Sequence, residues 1–225
     1  MKNVILIVMM SILMTGCGQL EGYYDSATRD KTTLYIESGD RNTNSPTNTD
    51  KAFIGDSITY SKMWSEEWPE QNVANYGYFG NTTSGVLANL SSYQTSTTFV
   101  ILIGINDFYM SDSKVGFYER YQKIIDGVKE KSNEFYCGSI LPLNHDVNYS
   151  IAPNIDKVDA ELILQVNIGL EKLCNSNGGI YINSYVYMLQ PGTLELNPAF
   201  TTDGLHLNAL GYAQYVKVIK QYIKS

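Results

Sequence analysis

The run Phe99-Val100-Ile101-Leu102-Ile103 is apolar at every position, so the element it forms must be covered on both faces. A strand of that kind belongs to a parallel sheet held between helical layers. The surrounding sequence supplies the remaining parts. From Lys51 onward, strand-like segments at 52–55, 72–75, 99–104, 134–141 and 179–183 alternate with helix-like segments at 61–67, 83–91, 114–131, 156–175 and 209–224. In the fourth helical segment Val158, Leu162, Val166, Leu170 and Leu173 recur at helical spacing, and Asn177-Gly178-Gly179 ends it. The alternation predicts an α/β chain: a single three-layer α/β/α domain around a parallel five-stranded sheet.

Length and composition agree with one domain. The chain has 225 residues, 44% hydrophobic and 17% charged. A mature chain of roughly 200 residues buries about 70% of its unfolded surface and needs no metal or disulfide staple. The formal charge is −7, and the only arginines are Arg29, Arg41 and Arg120, so a nucleic-acid partner is not expected. With two histidines and no close Cys/His/carboxylate cluster, no metal site is expected either.

The N-terminus reads as a targeting segment rather than as part of the fold. Lys2 precedes an apolar run at 4–14, too short to span a membrane as a helix, and Met14-Thr15-Gly16-Cys17 follows. Small residues directly before a cysteine resemble the bacterial lipobox. That resemblance implies a signal peptide over 1–16, a lipidated Cys17 as the mature N-terminus, and an exported domain anchored in the cell envelope. Residues 17–50 are polar and turn-rich and read as a tether, with Leu34-Tyr35-Ile36 as a possible short edge strand; 51–225 form the domain. Export permits a disulfide between Cys137 and Cys174, while two separately buried thiols remain the equal alternative.

Four segments carry candidate chemistry, three of them just after predicted strands: Gly55-Asp56-Ser57, the loop from Asn75 to Thr82, Gly104-Ile105-Asn106-Asp107, and Asp203-Gly204-Leu205-His206 before the last helix. In a parallel sheet the carboxyl ends of the strands share one edge, so the first three loops converge. Acyl transfer needs a nucleophile, a base, an orienter for the base and donors for the oxyanion. Ser57 is the candidate nucleophile and His206 the base. Asp203 lies three residues before His206, close enough to hold the other ring nitrogen. The Gly80 N–H and the Asn106 amide can complete an oxyanion hole with the Ser57 N–H.

Each residue alone has a commoner job: Ser57 as a helix N-cap, Gly80 as a turn glycine, Asn106 and Asp203 as turn residues. Together, in this order, the segments resemble the SGNH hydrolase superfamily, the GDSL esterases and lipases. Its blocks fall on Gly55-Asp56-Ser57-Ile58, on Gly80 within Asn75-x-Gly77-x-x-Gly80, on Gly104-Ile105-Asn106-Asp107 and on Asp203-Gly204-Leu205-His206, with Ile58 replacing the leucine of the GDSL signature. The stretch 55–59 lacks the second glycine of a Gly-x-Ser-x-Gly elbow, which sets the general α/β-hydrolases aside.

The resemblance implies a flavodoxin-like SGNH fold over about 51–225 and a serine esterase that works through an acyl-enzyme without a cofactor. The substrate is an acylated small molecule, glycan or lipid. A short acyl group on an envelope glycan is the leading expectation. A lipase, lysophospholipase or thioesterase is the alternative, and a non-catalytic glycan-binding lipoprotein is the rival of another class. Tyr78, Phe79 and Tyr109, close to Gly80 and Asn106, are candidate pocket residues. Trp64 and Trp68 are read either as an aromatic cleft or as packing, with packing favoured for Trp64. His145 is read as a loop histidine, and Asp56 and Asp107 as acceptors that stabilise their loops.

Overall fold

A computed structural model describes residues 48–109, 113–147 and 155–223. The signal segment, Cys17, the strand proposed at 34–36 and the tether up to residue 47 lie outside the described residues.

Five strands, β1 (Asn48–Gly55), β2 (Val73–Gly77), β3 (Thr95–Leu102), β4 (Glu134–Gly138) and β5 (Ile180–Ile182), form one sheet in the order β2-β1-β3-β4-β5, every neighbouring pair parallel. The helices are α1 (Ser57–Tyr60), α2 (Thr83–Asn89), α3 (Ile105–Tyr109), α4 (Lys114–Lys129), α5 (Ala160–Ser176), α6 (Tyr185–Met188) and α7 (Ala209–Tyr222). This is the expected α/β/α architecture.

Side-chain alternation explains the two-sided core. On one face, Ala52, Ile54, Phe99, Ile101, Phe135, Cys137 and Tyr181 pack with Val86 of α2, Phe117, Tyr121 and Ile124 of α4, and Val166 and Leu170 of α5. Their immediate neighbours Phe53, Val100, Leu102, Tyr136 and Ile182 point the other way, onto Trp64, Trp68, Met188 and the Tyr215, Val216 and Ile219 stripe of α7. Successive residues of β3 therefore feed two different cores, which is why its sequence shows no polar alternation. The strand order reverses direction between β1 and β3, and open α/β sheets form their sites at such a switch point, beyond the strands' carboxyl ends.

Element boundaries differ from expectation where polar residues pair. β1 starts at Asn48 and β3 at Thr95, each four residues before the predicted start, because the Thr/Ser/Asn-rich ends pair with each other: Asn48 is in register with Thr95 and Thr49 with Ser96, whose hydroxyls also hydrogen-bond. Residues 48–50, read as tether, are thus strand. The helix predicted over 61–67 does not form. The chain turns helical at once, at Ser57, because the Asp56 carboxyl oxygen Oδ1 caps the Ile58 N–H at 3.0 Å. It ends because the Asn75 amide takes the carbonyls of Thr59 (3.1 Å), Tyr60 (3.4 Å) and Lys62 (3.1 Å). A 3-10 turn at Trp64–Glu66 then stacks Trp64 on Phe53, with ring centroids 4.0 Å apart and planes within 5°. Both tryptophans are core residues, so neither lines a cleft: Trp64 is fully buried and Trp68 only 4% exposed. Cys137 and Cys174 are buried free thiols, which resolves the alternative left open above.

Candidate active site

Ser57, the first residue of α1, leaves the sheet directly after β1. Because Asp56 fills the capping position, the Ser57 hydroxyl is not used as a cap; its Oγ lies 3.0 Å from His206 Nε2. His206 Nδ1 lies 2.7 Å from Asp203 Oδ2. An ionised Asp203 accepts from the ring, so Nδ1 carries the hydrogen and Nε2 presents its lone pair to the serine.

The segment Thr201–His206 is folded on itself to hold this geometry. Asp203 Oδ1 accepts from the backbone N–H groups of Leu205 (3.0 Å) and His206 (2.7 Å). The Thr201 hydroxyl accepts from Gly204 N–H at 2.8 Å and donates to the His206 carbonyl at 2.7 Å. Burial pushes the Asp203 carboxyl up, but the His206 ring and the two N–H donors outweigh it and bring it down to about 2. At neutral pH Asp203 is therefore a fixed anion beside the imidazole, able to stabilise it when it gains a proton. Asn144 N–H donates to the Gly204 carbonyl at 2.9 Å, tying this turn to the loop beyond β4.

The loops after β2 and β3 meet behind Ser57. Gly80 has a φ of 67°, open to glycine at no steric cost, and a Cβ there would meet no atom within 4 Å. Its neighbour Asn81 ties three loops together. The Asn81 side-chain amide donates to the Gly55 carbonyl at 3.1 Å, and its own backbone carbonyl accepts from the Asn106 side-chain amide at 2.9 Å. One N–H of the Asn106 amide is thereby fixed, and with it the plane of the group. Asp107 is buried at 2% exposure and accepts from Thr83, as its loop-stabilising reading expects.

Phe79 packs on Tyr60 with ring centroids 4.5 Å apart, Tyr78 N–H donates to the Gly55 carbonyl at 3.2 Å, and Tyr109 is partly buried against the α4-side core. His145 is held by other partners: Nδ1 faces Glu195 Oε2 at 2.9 Å and Nε2 the Val158 carbonyl at 2.9 Å, a structural role. Among the described residues no group of His, Cys, Asp or Glu side chains could hold a metal ion. Sequence reasoning overlooked Asn75, Asn81 and Thr83 as individuals. Asn75 carries the Asn-x-Gly turn pattern, with its Oδ1 accepting from Gly77 N–H at 2.9 Å, but nothing local announces which distant carbonyls its amide will reach.

Solved structures share this fold. A Streptococcus pneumoniae protein named for platelet activating factor superposes with a TM-score of 0.75 at 24% identity, covering 95% of this chain and 98% of that one. A GDSL-like lipase from Bacteroides thetaiotaomicron gives 0.65 at 20% identity over 84% and 93%. Axe2, an acetylxylan esterase from Geobacillus stearothermophilus, gives 0.58 at 14% identity over 83% and 95%. No curated protein matches the sequence significantly. The family model for the GDSL-like lipases and acylhydrolases matches residues 53–214, from the strand before Ser57 to beyond His206. The chain belongs to that GDSL-like lipase/acylhydrolase family, within the SGNH hydrolases, and is a serine ester hydrolase.

Proposed function

We propose that Ser57, His206 and Asp203 are the catalytic triad of this hydrolase and that it removes short acyl groups, acetyl above all, from a glycan outside the cell. The observation that carries the assignment is the continuous chain Ser57 Oγ–His206 Nε2 (3.0 Å) and His206 Nδ1–Asp203 Oδ2 (2.7 Å). His206 takes the Ser57 proton as Oγ attacks the ester carbonyl, and the negative charge moves to the carbonyl oxygen. The Ser57 and Gly80 N–H groups and the second N–H of the Asn106 amide receive that oxyanion; losing one such donor costs about 2.7–4 kcal/mol in the barrier. The protonated His206 then delivers its proton to the leaving alcohol. Water, deprotonated by the same imidazole, releases the acyl group and restores Ser57.

The short-acyl reading is supported by the short connections beside the serine: α1 follows β1 with one intervening residue, and α3 follows β3 with two. That an acetylxylan esterase shares the fold is compatible with it. A signal peptide over 1–16 and a lipid anchor on Cys17 would place the domain at the envelope, beside polysaccharide. A p-nitrophenyl ester series from acetate to palmitate tests the reading on wild type and Ser57→Ala. Wild type should turn over acetate fastest, and the alanine variant should lose at least about a thousandfold. An optimum at long chains would make the enzyme a lipase or lysophospholipase. Equal rates for the two proteins would remove Ser57 from the mechanism.

A further inference from the structure

The two segments proposed to supply oxyanion donors are joined by direct hydrogen bonds, which a side chain belonging to neither segment reinforces. Asp107 directly follows Asn106, and Thr83 lies three residues after Gly80. The Asp107 carboxylate accepts from the Thr83 backbone N–H, at 3.2 Å through Oδ1 and 3.0 Å through Oδ2, and from the Thr83 hydroxyl. Arg120, on α4, closes the arrangement. Its Nη2 donates to Asp107 Oδ1 at 3.3 Å, and its Nε donates to Thr83 Oγ1 at 2.7 Å. Asp107 retains 1% side-chain exposure and Arg120 22%, so the pair sits largely out of water.

A buried carboxylate is costly unless it is paired and hydrogen-bonded. Burial pushes the Asp107 carboxyl up, and the Thr83 donors and the Arg120 guanidinium oppose that push. Arg120 is the only arginine among the described residues. The guanidinium is a planar fork whose donors reach two acceptors at a fixed separation, which a lysine ammonium cannot reproduce. These two partners lie on different elements, Thr83 at the start of α2 and Asp107 in α3. The fork therefore sets a distance between those elements as well as balancing a charge.

We infer that Arg120 is a positioning residue for ester hydrolysis: by clamping Asp107 against Thr83 it fixes the spacing between Gly80 and Asn106, and hence the shape of the oxyanion hole. This rests on the assignment of the Gly80 N–H and the Asn106 amide as oxyanion donors. Arg120 itself touches no reacting atom. Its effect passes through the placement of two donors whose value depends on distances held to a fraction of an ångström.

The test is a double-mutant cycle on the full chain, with p-nitrophenyl acetate as substrate and circular dichroism to follow folding. Arg120→Met should lower kcat roughly tenfold with KM within twofold, because the donors act in the transition state. Arg120→Lys keeps the charge but cannot hold both partners, and should lose at least threefold. Asn106→Ala should lose roughly 100- to 1,000-fold. In the Asn106→Ala background, Arg120→Met should cost less than threefold, since the donor it places is gone. Wild-type kcat in folded Arg120→Met or Arg120→Lys, or an undiminished tenfold loss in the Asn106→Ala background, would overturn the proposal. If Arg120→Met does not fold, Arg120→Lys alone and in the Asn106→Ala background decides. A wild-type rate for Asn106→Ala would instead sink the oxyanion assignment beneath it, an outcome read from that single variant.

Discussion

Two aspartates near Ser57 occupy opposite electrostatic situations. Asp203 has a histidine ring and two backbone donors on it and is held down at about 2. Asp56 is buried at 3% exposure, and burial pushes its carboxyl up to about 7 against the pull of the Ile58 N–H and of the nearby His206 ring. Folded protein thus keeps a proton on Asp56 that the unfolded chain releases near its ordinary carboxylate range. Between those two values the native state binds more protons than the unfolded state, so this group's contribution to stability falls as pH rises toward 7 and is flat above it. Asp56→Asn retains the acceptor for Ile58 N–H and cannot ionise. Urea denaturation at pH 4.5 and pH 8 should show the variant gaining at least about 1 kcal/mol relative to wild type between the two pH values. A difference that does not change with pH would mean that Asp56 is not protonated in the fold. The Asp203–His206 pairing could be read from their spacing in the sequence; the burial of Asp56 could not, since locally it is simply an acidic residue in a turn.

At the scale of elements, the serine's position depends on how closely α1 lies on β2. A Cβ at Gly77, the last residue of β2, would come within 2.3 Å of Tyr60 N and 2.7 Å of the Thr59 carbonyl carbon, and backbone atoms cannot step aside as a side-chain end can. Gly77→Ala must push α1 away and carry Ser57 with it. The expected outcome is a loss of about 1–3 kcal/mol in urea denaturation, with kcat for p-nitrophenyl acetate falling at least tenfold. Normal activity would show that α1 tolerates the shift. The four chemical segments were legible because each is a contiguous run of distinctive residue types at a strand end. Asn75, Asn81 and Thr83 were less so: their distant partners lie 13 to 37 residues away in the chain, at Lys62, Thr59, Gly55, Asp107 and Arg120. The failed helix at 61–67 has the same origin, since the Asn75 amide rather than local propensity decides where α1 stops.

At the scale of the molecule, one sheet separates two cores. Ile124 of α4 packs in one and Ile219 of α7 in the other, both fully buried, with no shared cluster. Ile124→Val and Ile219→Val should each cost about 0.5–1.5 kcal/mol. The double variant should give their sum within about 0.5 kcal/mol in a single transition, since distant sites without common partners add. Two separate transitions in urea would show the layers unfolding independently. The sequence by itself determined the α/β/α class, the five strands, the helices α2, α4, α5 and α7, and the identity of Ser57, Asp203 and His206 as candidates. Strand burial, helical period and turn chemistry are properties of a chain and its near neighbours. Tertiary structure alone decided where polar strand ends pair, that both tryptophans are core, and that Asn81 and Arg120 tie separate segments together. Those outcomes depend on which residues, far apart along the chain, come within 3 Å of one another, and no local pattern encodes that distance.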